Sequence, residues 1–116
     1  MNNFQENNEQ LNQLLEQGEA MEAFERFYAE SVSMQENETE PRIGKAFNRE
    51  QCAGFVAAHS DLKLTVLSVA YGDELSIQEV LFEYTDEAGE KVNYPEVAVR
   101  RWQGGFVQRE KFYYAR

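Results

Sequence analysis

The chain has 116 residues, room for one domain and one hydrophobic core, and its 42% apolar and 13% aromatic content is that of a folded globular protein. Acidic residues outnumber basic ones by 21 to 11, giving a formal charge of −10, which excludes the basic face that nucleic acid or an anionic membrane surface requires. Cys52 is the single cysteine, so there is neither an intrachain disulfide nor a thiolate metal cluster, and a free thiol fits a cytoplasmic setting.

The opening segment, residues 1–7, lacks the basic and apolar regions of a signal peptide and reads as a flexible lead-in to the domain. No apolar run reaches the length of a membrane span. From Asn8 to Glu30, Leu11, Leu14, Leu15, Met21, Phe24, Phe27 and Tyr28 recur at steps of three and four, which predicts amphipathic helix. Gly18 divides this stretch, ending a first helix, and Glu19 opens a second. Val32 to Glu36 alternates as a short strand, with Val32, Met34 and Glu36 on one face. A polar loop broken by Pro41 follows. A third helix is predicted over Lys45 to His59, with Phe47, Cys52, Phe55, Val56 and His59 near one another on its surface.

Beyond Asp61 the period changes to two. Strands are predicted over Leu62–Tyr71, Leu75–Thr85, Lys91–Trp102 and Phe106–Ala115, joined by turns at Gly72-Asp73, Asp86–Glu90 and Gln103-Gly104. The middle turn, with Gly89 left-handed, opposes Tyr84 to Val92, Phe82 to Tyr94 and Val80 to Glu96. Gln78, Val80, Phe82 and Tyr84 then face the helices. The last turn opposes Trp102 to Gly105, Ala98 to Arg109, Glu96 to Lys111 and Tyr94 to Tyr113. Tyr94, Glu96, Arg100 and Trp102 would thereby share a face with Val107, Arg109, Lys111 and Tyr113. Helices first and long antiparallel strands last make one α+β domain spanning residues 1–116, its helices on one side of the sheet.

Four pieces carry a resemblance. They are Phe27-Tyr28-Ala29-Glu30 leading into Val32–Asn37, then Pro41-Arg42-Ile43-Gly44-Lys45, then Val97–Trp102, and last Gly104–Val107. In this order, from about Leu11 to Tyr114, the chain resembles the nuclear transport factor 2-like superfamily, in particular its SnoaL-like and ketosteroid isomerase-like bacterial members. The resemblance implies a cone-shaped, cystatin-like fold: three helices on a strongly curved antiparallel sheet, a cavity at the wide end, and a homodimer through the outer sheet face. Function does not come with such a fold and has to be argued from the site.

The resemblance places Glu36 where ketosteroid isomerases keep a carboxylate general base; otherwise Glu36 is an exposed strand-end carboxylate. The oxyanion-hole tyrosine and aspartate of those enzymes fall near Leu11 and Ala98, which cannot donate a hydrogen bond, so steroid isomerisation is disfavoured. His59, the sole histidine, is either a second acid–base group or the cap of its helix. The expected pocket takes Tyr28, Met34 and Phe55 from the first half of the chain and Val80, Phe82 and Tyr84 from the second strand of the meander. Glu96, Arg100, Trp102, Arg109 and Tyr113 complete it. One histidine and one cysteine give no metal constellation, and no cofactor is expected. The function these features point to is binding of a small hydrophobic or aromatic molecule. Its enzymatic version is cofactor-free isomerisation, cyclisation or dehydration with Glu36 as base. The remaining alternative is a dimeric interaction domain with no chemistry.

Overall fold

Residues 3–115 are described by a computed structural model. Among them, the helices α1 (Asn3–Glu16), α2 (Ala20–Phe27) and α3 (Lys45–Ala58) accompany the strands β1 (Tyr28–Glu36), β2 (Arg42–Ile43), β3 (Lys63–Gly72), β4 (Leu75–Thr85), β5 (Lys91–Gln103) and β6 (Phe106–Tyr113). The strands form one sheet in the order β2-β1-β6-β5-β4-β3. Neighbours are antiparallel except β1 and β6, so the sheet is mixed where the sequence suggested an antiparallel one. The class is α+β. No helix among the described residues is long and apolar enough to cross a membrane.

The first helix begins earlier than the sequence pattern indicated. Residues 1–7 read as a flexible segment because Asn and Glu dominate them, yet α1 is already formed at Asn3; the two residues before it lie outside the described residues. Phe4, Asn8 and Leu11 fall on one helical stripe and are all buried. Phe4 meets Tyr71 edge-on at 5.9 Å and lies 6.2 Å from Trp102. Gly18, at φ 82°, then closes α1: Glu19 N donates to Leu14 O at 2.8 Å and Gly18 N to Leu15 O at 3.2 Å, the paired bonds of a left-handed helix stop.

Helical spacing continues through Tyr28, but the helix does not. Tyr28 takes extended backbone (φ −101°, ψ 137°) and pairs with Val107, so β1 is nine residues long where a five-residue strand was expected. Partnership with β6 outweighs local helical preference here. The polar loop after Glu36 ends in β2, whose Ile43 and Arg42 pair with Ser33 and Met34.

The β4–β5 hairpin has the expected register: Tyr84 faces Val92, Phe82 faces Tyr94 and Val80 faces Glu96. The β3–β4 turn is Asp73-Glu74, one residue later than expected, with Glu74 at φ 49°. The last hairpin departs most. Its turn is Gly104-Gly105, at φ 60° and 86°, which places Gln103 opposite Phe106 and Trp102 opposite Val107. Two adjacent glycines accept the two positive φ angles that match the twist of paired strands, an arrangement strained for Gln103. Moving the turn by one residue moves each partner by two and preserves its face. A bulge at Gln108 then adds one more, so that Arg101 faces Arg109, Arg100 faces Glu110 and Ala98 faces Phe112. That single extra residue turns the remainder of β6 over.

α1 packs on α2 and β3, and α3 on α2 and β1. The core beneath them joins Phe24, Phe27, Val32, Met34, Trp102 and Val107 to Phe4 and Leu11.

Candidate functional site

The inner face of the sheet and the helices enclose a cavity of about 540 Å³. α3 supplies part of its wall through Cys52, Phe55 and Val56, which explains why those apolar side chains are only half-buried. Phe47 points away from this group and is 48% exposed; five positions separate it from Cys52, too many for one helix face. Across the cavity, Phe82 stacks on Tyr94 with ring centres 5.4 Å apart and planes 8° apart. Tyr84 stands edge-on to Phe55 at 5.4 Å and to Tyr94 at 6.4 Å. Met34 from β1 and Val80 from β4 also line the wall.

One side of the cavity rests on a buried polar network. Arg100 is 1% exposed; its Nε donates to Glu110 Oε2 at 2.7 Å and its Nη1 to Asn8 and Asn12 Oδ1, each at 2.8 Å. Tyr28 donates its hydroxyl to the other oxygen of Glu110 at 2.6 Å. Burial, with the negative Glu110 beside it, holds the Tyr28 phenol well above its ordinary pKa, so it remains a donor. For Arg100, burial opposes the charge, but Tyr28 and Glu110 outweigh it and the guanidinium stays protonated. Trp102 Nε1 donates to Ser76 Oγ at 3.0 Å, and Ser76 in turn to Asn8 at 2.8 Å, extending the network away from the cavity. Trp102, expected in the pocket, is therefore a core residue against Phe4 and not part of the cavity wall.

At the end of β1, Glu36 lines the cavity at the position the resemblance implied for a general base, but its carboxylate is paired. It accepts from Arg42 Nη2 at 2.8 Å and from the Tyr114 hydroxyl at 3.3 Å. Arg42 is steadied by Asn48, which accepts from its Nε at 3.1 Å. The desolvated acid is Glu96. It is 4% exposed, lies on the wall of the cavity, and has no hydrogen bond or ion pair among the described residues. Burial, reinforced by negative charge at Glu36 and Glu110, pushes its pKa up to about 8. Cys52 is likewise pushed up by burial, to about 11, which leaves its thiol protonated and unreactive at neutral pH.

The structure separates the remaining expected residues from the cavity. The bulge at Gln108 turns Arg109 and Tyr113 to the outer face, where both are exposed, Tyr113 by 45%. Glu110 and Phe112 take the inward positions instead. His59 follows the last residue of α3, outside the cavity wall. Its ring lies 4.6 Å from Phe55 and 4.3 Å from Tyr84, and its Nδ1 is 3.2 Å from Thr85 O. It ties the helix end to β4 rather than facing the cavity. Sequence reasoning missed Arg42, Glu110, Phe112 and Tyr114 as wall residues. The first lay in an assigned loop, and the others depend on a bulge for which no local residue gives a signal.

A helix-covered mixed sheet holding a half-open, largely apolar cavity defines the class of molecule. No family model and no curated protein matches the chain. Solved structures match it over nearly their full length. A candidate SnoaL-like polyketide cyclase from Mesorhizobium loti superposes with a TM-score of 0.84 at 24% identity, covering 94% of this chain and 97% of that one. A cystatin-fold protein from Novosphingobium aromaticivorans gives 0.81 at 15% identity, covering 97% of each chain. A nuclear transport factor 2-like protein from Burkholderia pseudomallei gives 0.81 at 12% identity, covering 99% and 92%. The chain has the nuclear transport factor 2-like, cystatin-like fold in the form that SnoaL-like proteins share.

Proposed function

We propose that the protein binds a hydrophobic or aromatic small molecule in the cavity between its helices and sheet. The observation that carries this reading is the cavity itself: about 540 Å³, walled by Phe55, Phe82, Tyr84 and Tyr94, with one unpartnered carboxyl group at Glu96. Apolar walls with a few placed polar groups, at a volume of some hundreds of Å³, are the usual make-up of small-molecule sites. Ala98, on the cavity wall and 2% exposed, provides the test. Ala98→Leu adds side-chain volume to the empty space, so it is expected to leave the folded protein intact while abolishing saturable binding of naphthalene-sized probes followed by calorimetry. Unchanged binding in that variant, or none in the parent protein, would sink the reading.

A catalytic version of the same reading is favoured by the presence of two carboxyl groups in unlike surroundings: Glu36 ion-paired with Arg42, Glu96 alone and desolvated. Pairs of this kind divide acid and base roles. Glu36 would accept a proton from an activated carbon and Glu96 would donate one, giving isomerisation, cyclisation or dehydration without a cofactor. On this version Glu36→Gln removes turnover of a substrate that still binds, with the melting temperature little changed; full turnover in the variant excludes it. The exposed Ile77, Phe106 and Tyr113 on the outer face of the sheet support pairing of two copies there.

A further inference from the structure

Both cations on the cavity wall already have anions. Arg42 is paired with Glu36 at 2.8 Å, and Arg100 with Glu110 at 2.7 Å and nearly full burial of both side chains. Glu96 is the third carboxyl group on this wall, and no cation among the described residues pairs with it. Such a group either keeps its proton or takes a positive charge from outside. Its surroundings suit the second course. Tyr94, two residues away on the same face of β5, stacks on Phe82, and Tyr84 presents an edge to Tyr94. Aromatic faces attract cations, and they do so more strongly where water is excluded. The chain's net charge of −10 draws cations toward the protein and repels anions. An anionic ligand would find both guanidinium groups already taken.

We propose that the ligand of this cavity is a hydrophobic or aromatic amine, bound as its cation with the ammonium group on the Glu96 carboxylate and its apolar body against the Phe82 and Tyr94 rings. The inference rests on the cavity being a ligand site. Binding of RNH3+ converts the Glu96 carboxylic acid to carboxylate and releases that proton to the buffer. At pH 7 Glu96 is mostly protonated, because its pKa is raised to about 8. Close to one proton should therefore leave per amine bound, and affinity should rise roughly tenfold from pH 6 to pH 7 and level off above pH 8. The charged groups facing Glu96 are Glu36 from β1, Arg42 from β2, Glu110 from β6 and Arg100 from its own strand. The Cys52 thiol on α3 titrates at about 11 and the Tyr94 phenol is raised by burial, so neither changes charge in this window.

Three probes on one skeleton test the idea on the intact chain: 2-(1-naphthyl)ethylamine, 2-(1-naphthyl)ethanol and 1-naphthylacetate. Calorimetry at pH 7 in two buffers of different ionisation enthalpy reads affinity and proton release together. The expected result is that the amine binds at least tenfold more tightly than the alcohol, with proton release near one, and that the acetate is weakest. Glu96→Gln should then bring amine and alcohol to similar affinity. If the alcohol binds and the amine binds no better, or releases no proton, the amine assignment is wrong while the cavity remains a ligand site. If none of the three binds, the assignment and the cavity reading fall together.

Discussion

Glu96 carries a cost that its neighbours do not. In the unfolded chain it ionises near its ordinary pKa of 4.5; in the folded chain it holds its proton to about 8. Between these values the native state binds more protons than the unfolded one, so stability falls as pH rises through the window and levels off above it. Glu96→Gln removes that dependence. The variant should match the parent near pH 4.5 and exceed it at pH 8 by on the order of 4 kcal/mol, measured by urea denaturation at each pH. An unchanged difference between the two pH values would show that Glu96 ionises normally in the fold. Arg100 is the opposite case, a buried charge with every partner in place. Arg100→Met strands the Glu110 carboxylate and the Asn8 and Asn12 amide oxygens, and should lower stability by about 3–5 kcal/mol in the same assay.

At the scale of elements, the bulge in β6 decides which side chains reach the cavity. Val107 and Trp102 stay on the inner face on either register, but beyond Gln108 the alternation inverts. Inserting one residue after Gln108 shifts the strand beyond it by one position, so it should turn Glu110 and Phe112 out of the interior and leave Arg100 without its carboxylate. Loss of at least about 3 kcal/mol is expected, seen as a fall in denaturation midpoint or failure to fold. The start of α1 is the second element-scale feature. Phe4 is 3% exposed against Tyr71 and Trp102, so Phe4→Ala should cost about 3–4 kcal/mol. A loss under about 0.5 kcal/mol would mean that this turn of helix does not contribute to the core.

For the whole molecule, the helices do not fill the concave side of the sheet. α3 buries few residues fully because its inward side chains border space rather than packed neighbours. An occupant of that space should stabilise the fold in proportion to its concentration over its dissociation constant. It should also shield Cys52, which lines the wall. At pH 8 the thiol of the empty protein should react with an alkylating reagent much more slowly than free cysteine, because its pKa is about 11, and more slowly still with a bound probe. Alkylation at the rate of free cysteine, measured by intact mass, would contradict the burial from which the cavity is inferred.

The amino-acid sequence by itself determined the α+β class, the three helices, five of the six strands, and the register of the central hairpin. Each of these rests on local chemistry: helical spacing of Leu11 to Phe27, strict alternation in Leu75 to Thr85, and a glycine suited to the turn at Gly89. Phe55, Phe82, Tyr84, Glu96 and Arg100 were placed near one another for the same reason. Only the tertiary structure decided the parallel pairing of β1 with β6, the strand at Arg42, and the inward turn of Glu110 in place of Arg109. These depend on partners far along the chain. A bulge has no local signature, and a polar helix face such as Asn8 and Asn12 reads as solvated until a buried arginine is set against it. The pairing of Glu36 and the isolation of Glu96 follow from that same long-range placement. Carboxylates are equivalent along a sequence; the cations that reach them, and the water that does not, make them different.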